Sequence, residues 1–257
     1  MSSFVWDGQG SLDTLRPSGS KPPDSPSDLF LQPLRRGLIG QLGPGDRVRF
    51  GRIADAPGLG PDFTGDRASL ERAARWVVEI DDAARAGRTP IWDAVSMAIE
   101  TLEQERGRRR VVLLVTDGLA TGNRAGLEEV IDRAAHAGVS VFIVGEAWGP
   151  PRSGRGWRLL DATDAPWFMM KGAFTHPFDQ LQRLARATGG VFLADGERSA
   201  PDPGRQLASI VALLRASYSV TIQSPALPGE SATLAIVSND PAVQVHVRDR
   251  YRRDERN

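Results

Sequence analysis

The chain has 257 residues, with 32 basic and 32 acidic side chains and no cysteine. Balanced charge creates no overall field for binding nucleic acid or an anionic membrane surface. The absence of cysteine excludes disulfides, cysteine-ligated zinc and thiol catalysis. No apolar run approaches the roughly 20 residues of a membrane-spanning helix, so we expect no integral membrane segment in this chain.

A short apolar stretch at the amino terminus predicts the first strand. Residues 4–6 are apolar, and Asp7 follows them. The next segment, residues 8–11, contains two glycines. Asp7 therefore stands where a strand would leave its sheet. No export signal precedes this strand. That predicts a cytoplasmic location if the chain begins at Met1, whereas a start farther upstream would allow an extracytoplasmic one.

A polar segment and then a helix are predicted next. Residues 16–28 are rich in proline, serine and charged side chains and predict a long loop. Proline is tolerated in the first turn of a helix, and we expect Pro33 near the start of the helix that follows. Apolar residues at helical spacing support that helix, namely Leu31, Leu34, Leu38 and Leu42.

The middle of the chain alternates strand and helix patterns up to about residue 195. The apolar, β-branched run 111–115 predicts a buried strand, and apolar residues at helical spacing between Ile91 and Leu102 predict a helix. Thr64 or Asp66 is expected to cap another helix. This alternation predicts a doubly wound α/β fold, in which a mostly parallel sheet has helices on both faces.

Oxygen-bearing side chains stand at three of the predicted loops. Asp7 follows the first strand, Thr89 precedes a helix, and Asp117 follows the buried run 111–115. Because the carboxyl ends of parallel strands meet at one edge of a sheet, we expect these side chains to share a crevice. Carboxylate and hydroxyl oxygens suit Mg²⁺ or Mn²⁺ far better than zinc or copper.

These residues, in this order, resemble the metal ion-dependent adhesion site (MIDAS) of the von Willebrand factor A (VWA) domain. That family has Asp-x-Ser-x-Ser after its first strand, a threonine in a central loop, and an aspartate in a later Thr-Asp-Gly. The resemblance implies a metal set of Asp7, Gln9, Ser11, Thr89 and Asp117. Gln9 stands where the family has its first serine. The Gln9 side chain either supplies a carbonyl oxygen from a shifted loop or weakens metal binding. Because one residue of the family motif is replaced, we describe the site as degenerate.

The resemblance extends beyond the motif. Residues 42–50, entered from a Gly-Pro-Gly turn, are similar to the family's second strand, residues 137–145 to its fifth, and residues 126–138 to the helix between.

The resemblance also includes a bacterial VWA-related subgroup and implies a division of the chain. Residues 1–195 would form the VWA-like domain, with long loops at 16–28 and 146–176. Residues 196–257 would add a helix and short antiparallel strands. The aromatic and methionine residues of 146–176 either cover the sheet edge or form a partner-binding patch.

The resemblance also implies a function. A bound Mg²⁺ or Mn²⁺ would keep an open position for an aspartate or glutamate of a protein partner, giving metal-dependent adhesion or assembly without catalysis. One alternative is a metal-free interaction scaffold that has lost the site through Gln9. Another is a Mg²⁺-dependent hydrolase using Asp7 and Asp117, although no general base or phosphate-binding loop accompanies them.

Overall fold

A computed structural model gives the fold. It describes residues 2–7, 26–79, 88–105, 107–145, 177–194, 202–218, 226–227, 230–240, 242, 245–248 and 250–252.

The centre of the molecule is a six-stranded sheet. Its strands are β1 (Ser2–Asp7), β2 (Val48–Ile53), β3 (Gly58–Leu59), β4 (Arg110–Thr116), β5 (Val139–Gly145) and β6 (Phe192–Ala194). Their order across the sheet is β3-β2-β1-β4-β5-β6, and every pairing is parallel except that of β2 with β3. The predicted mostly parallel sheet is confirmed.

Helices cover both faces of this sheet. They are α1 (Pro26–Gly37), α2 (Arg67–Val78), α3 (Ile91–Glu103), α4 (Leu127–Ala137), α5 (Pro177–Ala187) and α6 (Pro203–Arg215). Side chains of β4 alternate between two cores, because successive residues of a strand point to opposite faces. Val112 and Leu114 pack in the core with α3, α4 and α5. Val111 and Leu113 pack in the core with α1, α2 and α6.

The first helix begins earlier than the sequence predicted. Residues 26–28, assigned to the long loop, belong to α1, and residues 16–25 lie outside the described residues. Proline at Pro26 fits the first helical position, where its missing N–H would have no intrahelical partner. Pro33 consequently lies in the middle of α1 and not near its start. Its ring leaves one bond of the helical ladder unmade.

Strand β2 begins at Val48, after the turn that the Gly-Pro-Gly segment 43–45 predicted. The backbone N–H of Gly43 donates to Asp46 Oδ2 at 2.8 Å. The N–H of Asp46 donates to the carbonyl oxygen of Gly43 at 3.0 Å. The predicted cap of α2 is Asp66, whose Oδ2 accepts a hydrogen bond from the N–H of Ser69 at 2.8 Å.

The carboxyl-terminal part contains the predicted helix and a pair of antiparallel strands. Helix α6 packs against α1 and contributes Leu207 and Ile210 to the core of that face. Strands β7 (Ser231–Thr233) and β8 (Arg250–Arg252) pair with each other. The proposed boundary at residue 195 stays a prediction. None of the helices in the described ranges has the length and apolarity to cross a membrane.

The close contact between α1 and α6 predicts that a side chain added there lowers stability. A Cβ added at Gly37 would lie 2.2 Å from the carbonyl oxygen of Gly204. Overfilling a tight contact of this kind costs about 1–3 kcal/mol. We therefore expect Gly37→Ala to lower the free energy of unfolding by that amount in denaturant titration.

The matched control is Gly45→Ala, because no atom lies within 4 Å of a Cβ built there. This control should leave the free energy of unfolding nearly unchanged. Equal stability of the two variants would contradict the close approach of α1 and α6.

Candidate functional site

Strands β1 and β4 end side by side. We call the side of the sheet at which the parallel strands end the carboxyl edge. The two strands pair in parallel register up to Trp6 opposite Val115. Asp7 is the last residue of β1 and pairs on its other side with Ile53 of β2. Asp117 directly follows β4. The two predicted metal-ligating aspartates therefore end neighbouring strands at one edge.

Asp117 is held in a tight turn at the end of β4. Its side-chain Oδ1 accepts a hydrogen bond from the N–H of Leu119 at 2.8 Å, and the residue is only 4% exposed. The N–H of Gly118 donates to Thr116 Oγ1 at 3.1 Å. Gly118 has a φ of 85°, which a residue with a side chain rarely adopts. The turn thus fixes a buried carboxylate at the edge, where an uncompensated charge would be costly.

Thr89 lies on the loop before α3, and this loop is bonded to the loop after β4. Thr89 is 2% exposed. Its N–H donates to Thr121 Oγ1 at 2.8 Å, and its carbonyl oxygen accepts from the N–H of Thr121 at 2.9 Å. The loops that carry Thr89 and Asp117 are therefore joined by a reciprocal pair of hydrogen bonds.

Two more side chains strengthen this junction at the start of α3. Asp93 Oδ1 accepts from the N–H groups of Arg124 and Ala125, at 3.0 and 2.8 Å. Asn123 Oδ1 accepts from the N–H of Trp92 at 2.7 Å. Trp92 is in the first turn of α3, where backbone N–H groups have no intrahelical acceptor. Carboxylate and amide side chains thus hold the loop after β4 against the amino end of α3.

Sequence reasoning missed Thr121 and Asn123 as parts of the site. Their partners, Thr89 and Trp92, lie 32 and 31 positions away along the chain, so neither residue belongs to a local periodic pattern. Of the five predicted ligands, Asp7, Thr89 and Asp117 come to the carboxyl edge. Gln9 and Ser11 lie outside the described residues, as does the segment 146–176.

The donor chemistry at the edge fits a hard divalent cation. Asp117 offers a carboxylate and Thr89 a hydroxyl, and both are buried at joined loops. No cluster of three or more histidine, aspartate and glutamate side chains suited to a metal occurs within the described ranges. The predicted set does not require one, because it combines two carboxylates with hydroxyl and amide oxygens. Such oxygen donors suit Mg²⁺ or Mn²⁺.

Comparison with known families identifies the domain. Residues 53–153 match the profile described as the von Willebrand factor type A domain. Residues 53–153 therefore belong to a VWA-type domain. The matched range includes Thr89 and Asp117, whereas the predicted ligands Asp7, Gln9 and Ser11 precede it. Domains of this family commonly act as interaction or adhesion modules.

Solved VWA structures share the fold of this chain. BatB from Bacteroides thetaiotaomicron is 15% identical, with a TM-score of 0.54 over 84% of this chain and 98% of BatB. A VWA protein from Catenulispora acidiphila is 15% identical, with a TM-score of 0.52 over 82% of this chain and 41% of its own. The comparison with curated protein sequences gave no match.

A third similar structure is described as having an occupied metal site. Proximal thread matrix protein 1 from the mussel byssus, described with a zinc-occupied MIDAS motif, is 18% identical to this chain. Its TM-score is 0.53, and the match covers 83% of this chain and 45% of the mussel protein. At this identity the likeness shows a common fold.

The hydrogen bonds of Asp93 predict a measurable stability effect. Asp93→Ala would leave the N–H groups of Arg124 and Ala125 without their acceptor. We expect a loss of about 1–3 kcal/mol in the free energy of unfolding, as for hydrogen bonds to a charged group. Chemical denaturation of the purified chain measures it.

Two variants on the same helix serve as controls. Asp93→Asn keeps one side-chain oxygen acceptor and should lose less stability than Asp93→Ala. Glu103→Ala also removes one negative charge, but Glu103 is exposed at the other end of α3, so little change is expected. A loss in Glu103→Ala as large as in Asp93→Ala would mean that net charge, and not the loop junction, causes the effect.

Proposed function

We propose that this VWA domain is a non-catalytic protein-interaction module that binds an acidic side chain of a protein partner through a Mg²⁺ at the carboxyl edge. The observation that carries the proposal is the pair of joined loops that bury Thr89 and Asp117 beside the end of β1. The five proposed ligands are Asp7, Gln9, Ser11, Thr89 and Asp117.

The chemistry of the proposed ligands favours Mg²⁺ or Mn²⁺ over softer metals. All five would offer oxygen, and none has the sulfur or imidazole nitrogen that zinc prefers. Mg²⁺ requires near-octahedral coordination and usually retains water in some positions. A partner's carboxylate can replace such a water, which is released to solvent, so the metal would link the two proteins with no covalent bond made or broken.

The surface beside this edge has room for a partner. A polar groove of about 530 Å³ opens there, and its lining includes Arg88, Pro90 and Arg124 from the joined loops. Arg88 lies next to Thr89 and forms a loose ion pair with Asp55, with 3.8 Å between its Nε and a carboxylate oxygen. The groove continues between α3 and α4, and neither Thr89 nor Asp117 lines it. A partner lying in the groove would meet charged side chains of both signs.

Gln9 supports the alternative of a metal-free interaction scaffold. A glutamine side chain is longer than the serine of the family motif and carries no hydroxyl. If the loop does not shift to bring its carbonyl oxygen to the metal, the set loses one ligand. The module would then bind its partner through the groove and the surrounding loops alone.

Calorimetric titration with Mg²⁺ and Mn²⁺ separates the two possibilities. We expect saturable binding by the natural chain and its loss in Asp117→Ala, which removes a ligand carboxylate. Thr89→Val should weaken binding strongly, whereas Thr89→Ser, which keeps a hydroxyl, should retain most of it. Asp62→Ala is the matched control, because it also removes one carboxylate. The Asp62 side chain is 96% exposed, and its Oδ1 lies 3.8 Å from Nη1 of Arg49.

Gln9→Ser, which restores the family residue, completes the experiment. If Gln9 only weakens the site, Gln9→Ser should lower the dissociation constant for Mg²⁺ by about 10-fold or more. Changes of about this size occur when residues around a bound metal are replaced. Binding by Gln9→Ser but not by the natural chain would favour the metal-free scaffold. Absence of binding in both folded proteins would overturn the metal mechanism altogether.

A further inference from the structure

Two arginine side chains meet at the opposite edge of the sheet, where the strands begin. Arg110 is the first residue of β4, and Arg248 lies shortly before β8. Other arginines near this edge have clear structural partners. Arg108 donates to the carbonyl oxygen of Gly45 at 2.9 Å, and Arg109 donates to carbonyl oxygens at the end of α6.

The guanidinium groups of Arg110 and Arg248 converge at the end of α4. Gly138 ends this helix with a φ of 65°. A Cβ built on Gly138 would lie 3.0 Å from Nη2 of Arg110 and 3.7 Å from Nη1 of Arg248. The two guanidinium groups therefore flank a single point on the surface, next to the glycine that ends α4.

Close backbone packing holds Arg248 in this position. Gly189, which follows α5 with a φ of 73°, is so close that a Cβ there would lie 2.7 Å from the backbone nitrogen of Arg248. Strand β8, just beyond Arg248, contacts α4. The Arg248 guanidinium therefore belongs to a segment that packs against the domain. Because this segment is already ordered, less conformational entropy is lost when a ligand binds.

The charges of this pair are not balanced within the described residues. No hydrogen bond or ion pair to either guanidinium occurs there. Burial lowers the pKa of Arg248, and the neighbouring charge of Arg110 lowers it further. The carboxyl end of α4 supplies about half a negative charge at most, whereas the pair carries two full positive charges. An anion would remove this excess.

We propose that Arg110 and Arg248 form a binding site for a small dianionic oxyanion of the phosphate or sulfate type. Guanidinium groups are planar and present paired N–H donors, which match the spacing of two oxygens on such an anion. Two converging arginines complement two negative charges. A bound oxyanion would also fasten the carboxyl-terminal segment to the ends of α4 and α5.

The test is a titration of the full chain with inorganic phosphate and with sulfate, followed by calorimetry and thermal unfolding. Sodium chloride at matched ionic strength controls for screening. We expect saturable binding that raises the melting temperature, and at least 10-fold weaker affinity in Arg110→Gln and in Arg248→Gln. Glycerol phosphate, added in a separate arm, shows whether the site accepts an esterified phosphate or only the free anion.

Charge-matched variants keep this test decisive. Arg67→Gln removes the same charge from an exposed arginine at the start of α2 and should bind phosphate as the natural chain does. Arg248→Lys keeps the charge but loses the paired donors, and we expect intermediate affinity. Equal phosphate affinity in the natural chain, Arg110→Gln and Arg248→Gln would overturn the proposal. So would an equal loss in Arg67→Gln, which would indicate a general charge effect.

Discussion

The burial of β4 on both faces is the constraint on which the rest of the structure depends. This strand pairs with β1 on one side and β5 on the other, and its side chains fill two separate cores. A strand in that position accepts only apolar side chains between its ends. Charged residues are therefore confined to its two ends, where Arg110 begins the strand and Asp117 follows it. Both proposed binding sites lie at these ends.

The two ends differ in how their charged groups are supported. At the carboxyl edge, the backbone N–H of Leu119 donates to Asp117, and the loop beside it is bonded to Thr89 and Asp93. Such support would hold the proposed oxygen ligands in place before a cation binds. At the amino edge, Arg110 and Arg248 meet with no ion-pair partner in the described part of the chain, and the backbone of Arg248 packs closely against Gly189. One edge thus suits a cation and the other an anion, and the same sheet separates them.

Local patterns predicted the features that depend on local spacing. The cap at Asp66, the buried run that ends at Asp117 and the alternation of strands and helices were all visible in the sequence. Contacts between distant segments were not. The bonds of Thr121 and Asn123 join positions more than 30 residues apart, and the meeting of Arg248 with Gly189 depends on how the carboxyl-terminal segment folds back. Strand β3 has two residues, too few to form a recognisable pattern.

The most direct test of the account is to locate the cation by nuclear magnetic resonance. Mn²⁺ broadens the amide signals of residues close to it, so a titration of the isotope-labelled chain maps its position. A cation at the carboxyl edge should selectively broaden the amide signals of Arg88, Thr89, Ile91 and residues 117–121, with little effect at 245–248. Broadening centred on the acidic side chains of α3 and α4, namely Glu100, Glu103, Glu129 and Asp132, would contradict a metal site at the carboxyl edge. So would broadening spread evenly over exposed carboxylates.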